Sequence, residues 1–221
     1  MRRYVSFFIL FSIILAAALP YINSINNPFI WDEEVLIVKN PIIRSWEHLS
    51  YLFTRSVFGR PLGEGSGYYR PLYIGTFMLD YHLWGLNPVG YHIINIILHI
   101  INALLLYILL LKLGIERKMA HLSSIFFALF PINAQAVIQI ATRDTLLFIF
   151  WSLLSLIAFL KGIHRSKPCF LVSIGFFILA VLSKEAALIL PLLIFAYIFI
   201  FLDKEKRPKA VFPLLALVVV A

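Results

Sequence analysis

YHIINIILHIINALLLYILLL, residues 91–111, carries no charged residue and exceeds the roughly 18 apolar residues that cross a bilayer as a helix. In hydrocarbon every backbone N–H and C=O must be paired within its own segment, so a run of this kind is helical. Its polar residues are not scattered. At 3.6 residues per turn, His92, Asn95, His99 and Asn102 fall within about 80° of one another, with His99 about 10 Å deeper than His92. Polar groups at that depth face a bundle interior or a wet cavity. They read either as interhelical hydrogen-bond glue or as the lining of a cavity with His92 at its mouth. A metal pair on a helix is normally spaced i, i+4, which the six residues between His92 and His99 do not match.

The pattern repeats on both sides. The chain is 62% hydrophobic with a mean hydropathy of +0.92, too apolar for a soluble domain of this size. Apolar runs recur at 4–21, 146–160, 169–182, 186–202 and from 210 onward. The run 119–130 is broken by Pro131, and 132–140 is too short to cross alone. The expected fold is an all-α polytopic transmembrane helical bundle of about six to seven spans. Residues 22–90 read as a long first outer loop, with an amphipathic surface helix at 45–58 (Trp46, Leu49, Leu52, Phe53) and a flexible tip at 59–67. The start Met1-Arg2-Arg3 and the later Ala16-Ala17-Ala18 also fit a signal peptide. An uncleaved anchor is the preferred reading, because further spans follow. The last apolar run stops inside itself, so the chain is expected to continue past Ala221. Cys169 is the only cysteine, which excludes an intrachain disulfide and a Cys-based metal cluster.

The formal charge is +8, yet the basic residues lie between apolar runs and form no patch for nucleic acid. They read as topology signals. With a cytoplasmic N-terminus, the turns holding Arg2, Arg3, Lys112, Arg117, Lys118, Lys161, Arg165, Lys167, Lys204, Lys206, Arg207 and Lys209 all lie inside, twelve of the nineteen Lys and Arg. That is the distribution the positive-inside rule requires. The result is an integral, multi-pass protein of a bacterial inner membrane or the endoplasmic reticulum.

This topology gathers the remaining ionisable groups at the outer face. Trp31-Asp32-Glu33-Glu34 places three consecutive carboxylates just past the first span, in a chain with eleven acidic residues. It reads as a solvated acidic turn or as the base, or metal-holding group, of an enzyme. Arg70, Arg143 and Lys184 form a candidate anion clamp, suited to a phosphate at the membrane boundary. The competing reading is snorkelling, or pairing with a neighbouring acid, as Arg143 with Asp144. Lys184-Glu185 closes a tight turn between two spans, on the side where positive charge is disfavoured.

The order of these motifs resembles the membrane portion of the GT-C glycosyltransferases, in particular the protein O-mannosyltransferase-like branch whose members often carry tetratricopeptide repeats. The resemblance rests on Trp31-Asp32-Glu33, Tyr69-Arg70-Pro71-Leu72, Gly90-Tyr91-His92 with Asn95, His99 and Asn102, Pro131-Ile132-Asn133 with Ala136-Val137, Arg143, and Ser183-Lys184-Glu185 with Pro191. It implies a GT-C-like bundle of which residues 1–221 are the N-terminal part. It also implies a sugar transferred with inversion from a polyprenyl-phosphate donor to a hydroxyl of a protein or glycan, with membrane lipid as partner. Asp32, with Glu33, would take the acceptor proton or hold a divalent cation such as Mg or Mn. Arg70, Arg143 and Lys184 would steady the leaving phosphate, supported by Tyr69, His92, Asn95, His99, Gln135 and Glu185. The family's His-Pro-Ile-x-x-Glu-Ala-Val stands here as 130–137 with Phe130 and Gln135 in place of the histidine and the carboxylate. Gln135 can hydrogen-bond but not act as a base. The acid usual two places after the arginine is Thr145, with Asp144 one place earlier. No 34-residue repeat period is present.

Two other classes fit parts of the pattern. A flippase for lipid-linked saccharides would line its path with the His92–Asn102 stripe, but the spans after Asn102 are almost wholly apolar. A non-catalytic scaffold related to the enzymes would explain Phe130 and Gln135.

Overall fold

The computed structural model describes residues 2–61, 67–164, 168–202 and 207–220. The expected basic turns at 161–167 and 203–209, and the tip at 59–67, lie partly outside the described residues. Helix α1 (Arg2–Ala18) runs on into a 3-10 turn, Leu19–Asn26. Short turns at Glu34–Val38, Ile42–Arg44 and Trp46–Phe53 lead to α2 (Pro71–Trp84) and α3 (Pro88–Lys112). Then come α4 (Arg117–Leu129), α5 (Asn133–Ile138), a 3-10 turn Ile140–Thr142, α6 (Arg143–His164) and α7 (Pro168–Ser183). A 3-10 turn Glu185–Ile189, α8 (Leu190–Phe201) and α9 (Arg207–Val220) complete the order. No strand occurs among the described residues.

Local sequence explains the boundaries. Asn87 caps α3 by accepting from Val89 N at 3.1 Å, and Pro88 supplies the pre-set first turn. Gly85 ends α2 at φ 59 and Gly114 follows α3 at φ 84, conformations glycine adopts without a Cβ penalty. Pro131 pushes Phe130 to an extended conformation, and α4 stops there.

Among the described residues, three stretches are long and apolar enough to cross a membrane: Phe7–Asn26, Pro88–Lys112 and Ile140–Ile163. Helices α7 and α8 are shorter apolar helices, so length and composition alone support three spans. Helix α3 is the central element and packs against α1, α2, α4, α5 and α6. Helices α6 and α7 form the most extensive pair. They are joined by reciprocal bonds from Ser155 Oγ to Ser173 O at 2.8 Å and from Ser173 Oγ to Ser155 O at 2.9 Å. Small polar residues let two membrane helices approach and bond in this way.

The stretch between α1 and α2, expected as an outer loop, is not a loose excursion. Leu36, Ile37, Ile43, Leu52 and Val57 are buried in one cluster with Tyr73, Phe77 and Met78 of α2, Tyr91 of α3 and Ile140. The amphipathic helix expected at 45–58 is a shorter 3-10 turn, capped by Ser45, which accepts from Glu47 N at 3.2 Å. Trp46, Leu49 and Phe53 are exposed, whereas Leu52 turns inward to the cluster.

The α3 stripe is resolved in favour of glue. His99 Nε2 lies 3.1 Å from Ala128 O at the end of α4, and Asn102 Nδ2 donates to Leu146 O at 3.0 Å. Asn95 Nδ2 donates to Val137 O at 3.3 Å and Gln139 O at 3.2 Å, where α5 ends. His92 Nε2 is 3.2 Å from Asn27 O. The last carbonyls of a helix have no partner within it, and in a bilayer water cannot supply one. His92, Asn95 and His99 thus bond carbonyls where neighbouring elements end, and Asn102 ties α3 to the first turn of α6.

Arg143 is the centre of this packing, and here the expectation of a phosphate ligand is corrected. Its side chain is 0% exposed. Nε donates to Asn95 Oδ1 at 2.7 Å, Nη2 to Tyr91 O at 2.9 Å, and Nη1 to the Asp80 carboxylate and to Thr76 Oγ1. Phe77 and Tyr91 lie against the guanidinium at 4.8 and 5.9 Å from their ring centroids. No face is left for a ligand. Its partner is Asp80, not Asp144, because Asp80 on α2 is buried against it. Removing the cation would leave a buried carboxylate unpaired. Arg143→Ala is therefore expected to cost about 3–5 kcal/mol, and Arg143→Met combined with Asp80→Leu to recover most of it. Denaturant unfolding of the purified protein in detergent measures both; a single variant as stable as wild type would refute the assignment.

Candidate active site

The start of α6, the end of α7, the start of α2 and the turn after α1 meet at one end of the bundle. Ile30 to Glu33 forms a tight turn, closed by a bond from Glu33 N to Ile30 O at 3.0 Å. Its second residue, Trp31, has φ 50, the one positive φ of a non-glycine residue among those described. The indole is 78% exposed. A bulky residue in this region is strained and is held there by its surroundings.

Glu33 supplies the hold. Its Oε2 accepts from Ile30 N at 2.9 Å, and its Oε1 accepts from Ile140 N at 2.7 Å and Ala141 N at 3.3 Å. Burial pushes this carboxyl above the usual range, opposed by those backbone donors and by Arg143. Glu33 thus stitches the acidic turn to the segment that opens α6. With its oxygens taken up by backbone donors, Asp32 and Glu33 do not present a two-carboxylate site, and a divalent cation held by that pair does not fit. No cluster of three or more His, Cys, Asp or Glu suited to a metal occurs among the described residues.

Asp32 is exposed. It lines a cavity of about 210 Å³ with Ile30, Trp31, Glu33, Gln135, Gln139, Ala141 and Thr142. Gln135 Nε2 donates to Gln139 Oε1 at 3.2 Å, and Thr142 Oγ1 donates to Gln135 O at 2.8 Å. Two residues beyond Thr142 the chain enters a charged cluster at Asp144. Asp144 Oδ2 meets Arg70 Nη1 at 2.5 Å and Lys184 Nζ at 3.2 Å. Lys184 Nζ also donates to Thr145 Oγ1 at 2.8 Å. Arg70 Nε donates to Glu185 Oε2 at 2.9 Å, and Nη2 pairs with Oε1 of the same carboxylate. That hydrogen bond holds the Glu185 carboxyl below the usual range.

Tyr73 joins the two halves. Its hydroxyl donates to Ala141 O at 2.5 Å. Burial and then Asp144 push its phenol far above the usual value; Asp32 adds to this, and Arg143 and Arg70 oppose it. Asp32, Asp144 and Arg70 are therefore all within electrostatic reach of one hydroxyl, which stays protonated.

Of the residues expected to act together, Asp32, Arg70, Lys184, Gln135 and Glu185 converge on this end of the molecule. Arg143, Asn95, His92 and His99 are interior structural groups. Tyr69 is exposed, and it is Tyr68 whose ring lies 4.2 Å from the Arg70 guanidinium carbon. Sequence reasoning named Asp144 only as a partner for Arg143 and as a displaced family acid, not as a site residue, and it missed Tyr73. Neighbours on a helix point about 100° apart, so an arginine committed to the core at 143 turns residue 144 toward another face. That was the available signal for Asp144; Tyr73 had none beyond its place in the first turn after Pro71.

A family model described as dolichyl-phosphate-mannose-protein mannosyltransferase matches residues 73–221. The protein O-mannosyl-transferase F38B6.6 of Caenorhabditis elegans is 34% identical over 185 residues, 80% of this chain and 26% of that protein. Human protein O-mannosyl-transferases TMTC1 and TMTC3 are 35% and 32% identical over 150 residues, 66% and 67% of this chain but 17% and 16% of theirs. The chain thus spans 16–26% of the length of these curated relatives. No solved structure matches it. With a family model covering most of its length, the chain belongs to the dolichyl-phosphate-mannose-protein mannosyltransferase family.

Proposed function

We propose that this chain forms the donor- and acceptor-binding end of an integral-membrane mannosyltransferase. It takes a sugar from a polyprenyl phosphate in the outer leaflet and passes it to a hydroxyl of a protein acceptor on the extracytoplasmic side. The observation that carries the reading is that an exposed carboxylate, Asp32, shares a cavity with Ala141 and Thr142, while two cations, Arg70 and Lys184, pair with Asp144 just beyond that segment. The division of charge matches the reaction. Asp32 accepts the proton of the attacking hydroxyl as its oxygen bonds to the anomeric carbon, and the sugar–phosphate oxygen bond breaks on the opposite face. Negative charge then develops on the departing phosphate, where preorganised cations stabilise the transition state more than the ground state. Tyr73 and Glu33 hold 140–141 in place between the two halves, a positioning role.

A lipid donor is supported by an apolar groove of about 430 Å³, lined by Leu188, Pro191, Leu192, Phe195, Leu214 and Val218. One of its lining residues, Leu188, follows Glu185 by three positions in the chain. A transport path gains no such support, because the α3 stripe is buried and engaged in capping.

The test uses the full-length protein in proteoliposomes with polyprenyl-phosphate mannose and an acceptor peptide. Asp32→Asn is expected to lower transfer by about 10²–10⁴-fold, the usual worth of a general base, with an unchanged unfolding midpoint. Transfer within about twofold of wild type would sink the reading. Glu33→Gln is expected to behave differently. It turns an acceptor oxygen into a donor facing a buried N–H, at a cost of about 1–3 kcal/mol in stability. A midpoint equal to wild type would refute its bracing role.

A further inference from the structure

The Arg70 guanidinium has one face and two edges to account for. Tyr68 covers the face, at 4.2 Å. Asp144, with a side chain only 5% exposed, holds Nη1. The remaining Nε–Nη2 edge is the one that grips a phosphate or a carboxylate bidentately. In this structure it is filled by Glu185, whose side chain is 52% exposed. The two acids on Arg70 are therefore unequal. Releasing Asp144 would take a buried carboxylate off one of its two cations, which is costly. Releasing Glu185 only returns an exposed carboxylate to water, and such pairs are weak.

Resting on the donor reading above, we propose that the Glu185 carboxylate is a displaceable stand-in for the donor phosphate. It keeps the Nε–Nη2 edge of Arg70 occupied and yields it when a lipid-linked phosphate arrives. The surrounding chain suits this. Glu185 opens the 3-10 turn Glu185–Ile189, and the extended Lys184 before it is anchored separately to Asp144 and Thr145. Glu185 can swing away while Lys184 stays. Charge balance gives the exchange a direction. Arg70 and Lys184 are neutralised by Asp144 and Glu185. A singly charged phosphodiester donor replacing Glu185 preserves that neutrality. Transfer converts it to a phosphomonoester carrying about −1.5 to −2 at pH 7. The returning Glu185 carboxylate then competes for Arg70 and helps the product leave.

The experiment measures binding of a short-chain polyprenyl phosphate to the full-length protein in nanodiscs by calorimetry, alongside product inhibition of mannosyl transfer. Apparent affinity scales with the fraction of Arg70 whose edge is free. If that fraction is about a tenth, Glu185→Gln binds the probe about tenfold tighter and is inhibited by product at about tenfold lower concentration. Glu185→Ser, which leaves the edge open, gives the same gain and guards against a glutamine-specific folding defect. Arg70→Lys abolishes the gain when combined with either. Equal or weaker binding by both Glu185 variants overturns the stand-in while leaving the donor reading intact. Failure of wild type and variants alike to bind the probe overturns the donor reading and the inference with it.

Discussion

A fully buried guanidinium admits little variation in what surrounds it. Every donor of Arg143 must find an acceptor, because a charge withdrawn from water without partners costs several kcal/mol. Those acceptors come from α2 (Asp80, Thr76) and α3 (Asn95, Tyr91 O), while Arg143 itself opens α6. Three elements remote in sequence are thereby fixed relative to one another at a single point. The consequence for the site is rotational. With residue 143 pointing inward, residue 144 is turned to the face where Arg70 and Lys184 wait. The placement of the charged cluster is set by a residue buried out of reach of solvent.

The second constraint is interrupted backbone. Between α4 and α6 the chain stops, turns through α5 and a 3-10 segment, and restarts, leaving carbonyls and amides that their own helices cannot satisfy. Side chains from elsewhere do so: His99 and Asn95 from α3 for carbonyls, and Glu33 from the stretch after α1 for the amides of Ile140 and Ala141. This broken stretch is also the floor of the Asp32 cavity. Irregular backbone is tolerated near a membrane only where protein or a cavity surrounds it, and here both conditions hold in the same place.

How much of this was legible in the sequence divides along physical lines. The all-α class and the three long helices follow from apolar runs, and the α3 stripe follows from its period. The alternatives for that stripe were separable only with the partners in view, since glue and cavity lining present the same residues on the same face. Arg143 misled because a cation at a helix start reads equally as ligand or pin. The deciding fact, Asp80 packed against it from 63 residues away, is tertiary. Glu33 misled for a related reason. Adjacent carboxylates look equivalent in sequence, yet a tight turn sends one side chain out and the next one in. The outer loop was underestimated because its apolar residues, among them Leu36, Ile37 and Ile43, follow no single period. They follow the shape of the cluster they fill.

The acidic turn shows how the scaffold and the chemistry are coupled. Trp31 sits at a positive φ that its side chain disfavours, and the strain falls on the residue just before Asp32. Opposing it are three backbone bonds to the Glu33 carboxylate, one within the turn and two across to the opening of α6. Asp32 is thus clamped between a strained residue and a braced one, with its own carboxylate left free of that bracing. In the proposed reaction, a base held in this manner would not have to be ordered when substrate arrives, which is the advantage of preorganisation. The bracing also runs through Ala141, whose carbonyl accepts from Tyr73, to Asp144 and the cations three residues on. Acid and clamp are mounted on one short strip of backbone, so a shift at either end is felt at the other.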